Sequence, residues 1–564
     1  MRRLPAMAVG CALLALSACR TAPEASPAIV ADVQWCASTD AAGDETVEVL
    51  LRNGTGRAVE FVRAELDGTV LPATAPAAAK ALKAFAFEGL GAKARRRMDV
   101  SSPVAGARWW QFYPSPRVEA GGTAVFQLNF AGPSRPCALK LTTGDGLSAA
   151  VRVPRSAPPR RRIEFLAFSG DGRTLVLRHS AGAAPSGLAV NGRRAGFRAL
   201  APSAKGLPAA AVADLPTPVR EGETACVELA FPDGARRFAV VRALLGVCTV
   251  APAGWGDDFR ALPSAERAAY GFDADMRVWR LPYDVVCDDT RARSPGASSR
   301  AVVAARAARQ ADFPDGLCGV DFCTALYPSA WNVYSQMADA VIVKPYRLHW
   351  GVNVSRFLDE EDAFLAKAVL DVAPRPVLWV PERFRTLREL DGAEFSALAW
   401  CAMLRGVRGV RVHHWLNDRR APFAGNPALA EAVRRFNADF NRLRPRLECL
   451  VPMRERTDRL ARLSVLEGWC GDDGALLLVR NLRYDTGIDA RTRRRVRPFA
   501  VSPVRGQALA WRPPAWLEPG MCADALTGEP LGRDVADGTC RVTVPELGAY
   551  RLIWIENAGK GAKR

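Results

Sequence analysis

Apolar and polar positions change rhythm along the chain. Between residues 30 and 155 they alternate singly. Val47, Val49 and Leu51 are spaced by other residues, Asn53-Gly54 supplies a turn, and Val59 and Phe61 resume the alternation. Ala64-Glu65-Leu66 then runs into Asp67-Gly68, a hairpin signal. A Pro/Arg stretch over 154–162 separates this region from residues 160–250, where the style repeats. There, apolar runs at 165–168 and 175–177 flank Gly170-Asp171-Gly172, and Leu188-Ala189-Val190-Asn191-Gly192 has the form of Leu66-Asp67-Gly68. Period-two patterning with frequent turns predicts two successive immunoglobulin-like β-sandwiches, with a helical insertion at 77–84 in the first.

From 253 to 450 the pattern switches. Short apolar runs at 278–281, 285–287, 317–322, 340–343, 376–380 and 409–412 alternate with helical stretches near 299–310, 330–338, 361–372, 393–406 and 427–443. Strands alternating with helices predict a parallel sheet with helical crossovers. Six strands in about 200 residues fall short of a full eight-stranded barrel. The expectation is therefore a short or degenerate (β/α) barrel-like domain, or an open doubly wound sheet. Residues 460–557 return to β, with runs at 475–479, 507–511, 540–544 and 550–555 and a turn at Thr527-Gly528, predicting a terminal sandwich. The fold class is thus α/β plus all-β, multi-domain, with sandwiches on both sides of the α/β unit.

The first residues have a different logic. Arg2 and Arg3 precede an apolar run at 6–16, too short to span a bilayer and right for a signal peptide. Leu16-Ser17-Ala18-Cys19 resembles the lipobox of bacterial lipoproteins. That resemblance implies cleavage after residue 18, lipidation of Cys19, a tether over 19–29 and export to the cell envelope, with the outer membrane as destination.

Composition then changes the picture twice. The chain carries a net charge of +18, and loss of Arg2 and Arg3 with the signal leaves +16. Arginine supplies nearly all of the 77 basic residues, which are scattered except at 95–97, 160–162 and 491–495. Nucleic-acid binding needs a contiguous basic face with stacking aromatics, so that class is set aside. Of 14 cysteines, Cys11 leaves with the signal and Cys19 takes the lipid, leaving an even number in an oxidising compartment. Disulfides are then expected, with Cys36–Cys137, Cys226–Cys248 and Cys522–Cys540 as candidate pairs. No cofactor or metal is expected. Cys318 and Cys323 lack a second ligand pair, and His413-His414 lacks a third ligand.

Polar groups follow five of the central apolar runs: Asp288 and Asp289, Asp321, Lys344 and Tyr346, Glu382, and His413, His414 and Trp415. In a parallel α/β barrel these strand ends share one rim, where active sites lie. Glycosidic cleavage needs one protonated carboxyl to donate to the leaving oxygen and one ionised carboxylate as nucleophile or base. Asp289 (or Asp288) with Glu382 is the candidate catalytic pair. Asp321, Lys344, Tyr346, Trp379, His413, His414 and Trp415 are candidate substrate contacts, the aromatics by stacking on sugar rings. Each has a structural alternative: acids at strand ends cap helices or pair with arginine, and aromatics pack in cores.

The stretch Leu387-Arg388-Glu389-Leu390 through Phe395-Ser396-Ala397-Leu398-Ala399-Trp400 to Gly406-Val407-Arg408-Gly409-Val410 resembles the late helix–strand unit of glycoside-hydrolase barrels. Cys287-Asp288-Asp289 is similar to the acidic strand end of the same proteins. Tyr334-Ser335-Gln336-Met337-Ala338-Asp339 is similar to their helix leading to an Asp-x-Tyr strand end, with Lys344 replacing that Asp. The resemblance covers about 255–450. It implies a polysaccharide or glycan ligand and a hydrolase-type site; the alternative is a non-catalytic glycan-binding or scaffold lipoprotein with a degenerate barrel.

Overall fold

The computed structural model describes residues 29–39, 44–71, 107–113, 116–131, 136–153, 163–180, 184–220, 223–231, 234–242, 246–249, 278–280, 317–323, 339–345, 356–381, 383–384, 388–411, 426–489, 491–492 and 495–561, with 265, 268–269 and 335. The expected N-terminal signal, Cys19 and the expected tether up to residue 28 lie outside them, as does the expected strand at 285–287. No helix among the described residues is long and apolar enough to cross a membrane.

The first sandwich pairs two antiparallel sheets. One runs in the order Ile29–Thr39, Asp44–Asn53, Thr123–Ala131, Ala107–Tyr113; the other contains Thr69–Val70, Val59–Leu66, Cys137–Thr143 and Ser148–Val153. Alternate residues of its longer described strands enter one core: Val49, Leu51, Phe61, Phe126, Leu128, Leu139 and Leu141 are all buried. Asn53 ends a strand of one sheet just before the chain crosses to the other. Its buried side-chain amide donates to the carbonyls of Val118 (2.9 Å), Glu119 (3.0 Å) and Arg57 (2.8 Å). Asp67-Gly68 forms the expected hairpin, both residues having positive φ (48° and 78°), the backbone that matches strand twist.

The second sandwich has sheets in the orders Ile163–Phe168, Thr174–His179, Ala209–Asp214, Gly196–Leu200 and Arg193–Arg194, Gly187–Val190, Thr224–Phe231, Gly234–Val241. Three strands of its first sheet, Ile163–Phe168, Thr174–His179 and Ala209–Asp214, are buried on both faces. Leu166, Phe168, Leu175, Leu177, Ala211 and Ala213 fill the sandwich itself. Phe165, Ala167, Val176, Ala210 and Val212 belong instead to the large core shared with the helices and the terminal sandwich. Gly406 marks how close this contact is. It has φ +92°, and a Cβ there would lie 2.8 Å from Phe165 Cε2 and 2.9 Å from Pro452 Cγ.

The central sheet has six strands, all neighbours parallel, in the order Gly246–Thr249, Gly409–Arg411, Val377–Trp379, Ala340–Lys344, Leu317–Cys323, Val278–Arg280. Five strands follow one another in chain order and the last returns beside the first. The described strands do not close into a barrel. Gly246–Thr249 falls in the range read from sequence as second sandwich, yet it joins this sheet; four residues are too few for alternation to show which sheet they enter.

Three helices cover one face: α1 (Phe357–Val372), α2 (Gly392–Leu404) and α3 (Pro427–Glu448). At the start of α2, Asp391 Oδ1 accepts the Ala393 N–H (2.9 Å) and Glu394 Oε2 accepts the Asp391 N–H (2.8 Å), a reciprocal cap. At the start of α3, Asn426 Oδ1 accepts from Leu429 N (3.0 Å) and Pro427 opens the first turn. Leu429, Val433, Phe436, Phe440, Leu443 and Leu447 recur at helical spacing and form its buried stripe.

The terminal sandwich begins at Leu450, ten residues before the expected boundary. Its five-stranded sheet runs Leu450–Asp458, Leu463–Cys470, Gly474–Asn481, Tyr550–Asn557, Pro519–Asp524, facing a three-stranded sheet of Val504–Trp511, Thr539–Leu547 and Arg533–Ala536. Leu463–Cys470 and Gly474–Asn481 are buried along their whole length, because one face meets the smaller sheet and the other meets α2 and α3.

Candidate functional site

Parallel pairing sets all C-terminal strand ends on one edge of the central sheet. Register pairs Asp321 with Ile342, Cys323 with Lys344, Val343 with Trp379, and Trp379 with Val410. Val341, Val343, Val377, Trp379 and Val410 face the helices. Period two therefore places Ile342, Lys344 and Leu378 on the opposite face, where all three are buried. Lys344 thus ends its strand on the face away from the three described helices, 1% exposed.

Trp379 has a different place from the one its sequence position suggested. It is fully buried on the helix side, its ring stacked on Phe395 with centroids 6.3 Å apart. Its indole Nε1 donates to Glu361 Oε1 (2.9 Å) on α1, itself buried. The ring is a core element there, with no face turned to the strand-end edge. Asp321 is placed by backbone register alone. Asp288, Asp289, Glu382, Tyr346, His413, His414 and Trp415 lie outside the described residues.

The structure assembles a charged group that the sequence reading missed. Asp362 on α1 accepts Arg405 Nε (2.8 Å) and Nη2 (2.7 Å) at the end of α2, and pairs with Arg480 Nη1 (3.0 Å) from the terminal sandwich. Arg480 Nη2 also donates to Glu455 Oε1 (2.8 Å), and Arg405 Nη2 to Glu455 Oε2 (2.5 Å). Burial opposes ionisation of Asp362, but the guanidinium charges of Arg480 and Arg405 outweigh it and hold the carboxyl below the usual carboxylate range. Burial likewise opposes ionisation of Glu455, and Arg405 with the Ser464 hydroxyl lowers it. Next to this group, burial pushes the Cys401 thiol up to about 12, which makes it a poor nucleophile.

A second buried carboxylate, Glu467, accepts Trp469 Nε1 (2.8 Å), Trp511 Nε1 (3.0 Å) and Arg454 Nε (2.7 Å). Asp362 and Glu455 are paired with arginines and Glu467 is filled with donors, an arrangement that locks elements together. A signal for the first group was present in α1. Phe357, Glu361, Leu365, Ala368 and Val372 form one helical stripe and Leu358, Asp362, Leu365 and Val369 the next, so both acids occupy apolar positions.

The cysteines depart from expectation. Cys522 and Cys540 are free thiols, so that one of the three expected disulfides is not formed. Cys36 and Cys248 have side chains outside the described residues. Among the described residues, no three His, Cys, Asp or Glu side chains gather as a metal-ligand group.

No family model matches this chain, and no curated protein matches it. Among solved structures it is similar to a maltogenic alpha-amylase, AmyB, from Thermotoga neapolitana, at 12% identity over 46% of this chain and 66% of the amylase, with a TM-score of 0.28. An alpha-fucosidase from Thermotoga maritima gives 10% identity over 47% of this chain and 51% of the fucosidase, TM-score 0.26. A cycloalternan-degrading enzyme from Trueperella pyogenes aligns over 92% of this chain and 96% of its own, at 9% identity and TM-score 0.30. The chain spans less than two thirds of the amylase and about half of the fucosidase. TM-scores of this size establish neither a shared fold nor a shared site.

Proposed function

We propose that this chain is an exported, lipid-anchored protein of the bacterial envelope that handles a polysaccharide at the C-terminal edge of its central parallel sheet. The single observation that supports this is the strand arrangement. Parallel pairing turns the ends of Leu317–Cys323, Ala340–Lys344, Val377–Trp379 and Gly409–Arg411 to one edge. The segments that follow two of these strands in sequence carry Glu382 and His413, His414 and Trp415. Ligands of parallel α/β sheets bind at this edge.

In this proposal Asp289, with Asp288 beside it, and Glu382 are the carboxylate pair. One donates a proton to the leaving glycosidic oxygen while the other attacks the anomeric carbon or activates water. Lys344 and Asp321 orient hydroxyls at the strand ends. Release of reducing sugars from a polysaccharide panel tests the catalytic part: Glu382→Gln should lower the rate about 100-fold or more. Equal rates in variant and wild type remove Glu382 from the mechanism. Binding on a glycan array without any turnover by wild type would replace hydrolysis with glycan binding. Labelling with a fatty-acid probe tests the anchor, which Cys19→Ala should abolish.

A further inference from the structure

We propose that a cleft where α1, α2 and the terminal sandwich meet binds a small neutral molecule that carries one hydroxyl on a compact apolar body. The cleft holds about 330 Å³, its open mouth included. Leu358 of α1, Leu398 of α2, and Leu482, Phe499 and Ala549 of the terminal sandwich give it apolar walls. Two polar side chains, Arg480 and Tyr484, share that lining. Arg480 is buried, 7% exposed, and its guanidinium is only partly committed. Nη1 meets Asp362 Oδ2 (3.0 Å), and Nη2 donates to Glu455 Oε1 (2.8 Å) and Ser464 Oγ (3.1 Å), while the buried Nε–H has no acceptor. The Tyr484 hydroxyl is likewise buried and completes no hydrogen bond. Buried polar groups in native proteins are nearly always paired, so two such atoms on the wall of one cleft mark a place for an occupant.

The chemistry of the wall selects the ligand. The Arg480 Nε–H is a donor and calls for an acceptor oxygen. Burial and the charge of Asp359 push the Tyr484 hydroxyl up, so it stays protonated and can both donate and accept. A ligand hydroxyl suits the two together: its oxygen accepts from Arg480 Nε and its proton goes to the Tyr484 oxygen. Charge favours a neutral molecule. Arg480 and Arg405 are already matched by Asp362 and Glu455, and Asp359 on the wall adds a negative charge that repels a carboxylate or phosphate. A cation would sit beside Arg480. A flat ring suits walls that include the Tyr484 and Phe499 rings, whose centroids are 6.0 Å apart. A water could reach the polar atoms but would leave the apolar walls without contacts. The cleft shares no residue with the strand-end edge and does not depend on the glycan proposal.

The test uses the full chain and phenol as the probe, titrated by ligand-observed NMR and soaked into crystals. A ligand of this size should bind with a Kd of about millimolar. Tyr484→Phe should weaken binding about fivefold by removing one hydrogen-bonding group. Ala549→Leu, which fills the cleft from its wall, should weaken it about tenfold or more. Fluorobenzene, which lacks the hydroxyl, should displace phenol several-fold less well than unlabelled phenol does, and benzoate and benzylammonium should not displace it. The soaked crystal should show the ring between the apolar walls with its oxygen on Arg480 Nε and the Tyr484 hydroxyl. Unchanged affinity in both variants, displacement by benzoate or fluorobenzene equal to that by phenol, or an ordered water only in the soaked cleft overturns the proposal. Where a variant fails to fold, the wild-type displacement series and the soaked crystal decide.

Discussion

The two N-terminal sandwiches have the same plan and opposite relations to the rest of the molecule. In the first, strands such as Val59–Leu66 and Cys137–Thr143 bury alternate residues into one core of their own. In the second, Ile163–Phe168 and Ala209–Asp214 bury nearly every residue, because successive side chains enter two different cores. The seam is also polar. Arg178 Nη1 donates to Pro452 O (2.9 Å), the Gly170 N–H donates to Glu448 Oε2 (3.0 Å), and Arg198 Nε pairs with Asp472 Oδ2 (2.8 Å). By contrast, a half-exposed ion pair, Arg52 with Glu228 at 3.5 Å, marks the contact of the first sandwich with the second. A sheet buried on both faces is a structural joint; a sheet buried on one face belongs to a module that stands largely alone.

Four substitutions test this contrast: three destabilising ones in order of falling effect, with a surface control beside the first. Val212→Asp puts a carboxylate into the shared core and should cost on the order of 5 kcal/mol, removing the second sandwich, helices and terminal sandwich together in calorimetry. Its counterpart on the outer face of the first sandwich, Val62→Asp, should stay within about 0.5 kcal/mol, since Val62 is 60% exposed. A large loss there would give the first sandwich a covered outer face.

Phe126→Ala should cost about 3–5 kcal/mol in the first sandwich alone. Amide exchange should then report early opening of 44–153 while Leu463–Cys470 keeps its protection. Equal loss in both regions would mean one cooperative unit.

Asp362→Asn weakens the charged group that ties α1 and α2 to the terminal sandwich, and should cost about 3 kcal/mol at neutral pH. The pH sign follows from the depressed carboxyls of Asp362 and Glu455. Their stabilisation is present above the unfolded carboxylate range and is lost as pH falls through their folded values, below about pH 4. Acid titration of stability should therefore bring Asp362→Asn and wild type together below that pH. A gap that persists there would show that the loss was one of packing.

Much of this architecture was legible in the chain. Alternation marked both early sandwiches, and Asp67-Gly68 and Asn191-Gly192 marked their hairpins because few other pairs accept two left-handed residues. Five of the six central strands and the three helices α1, α2 and α3 were foreseen; their caps and apolar spacing are local properties. Gly246–Thr249 was assigned to the wrong sheet because its partner, Gly409–Arg411, is distant in sequence. Trp379 was read as a sugar platform because it ends a strand; which face it takes depends on where the helices lie. Asp362, Arg405, Glu455 and Arg480 were invisible as a group because each comes from a different element.

Local order, then, is a matter of the chain's own rhythm: strand or helix, turn type and cap are settled over a few neighbouring residues. Which sheet becomes a joint is settled otherwise. Burial of the second face of Ile163–Phe168 and the saturation of Asp362 by two arginines both require surfaces from separate segments to come together. Desolvation and pairing act through space, and they become defined when the layers pack.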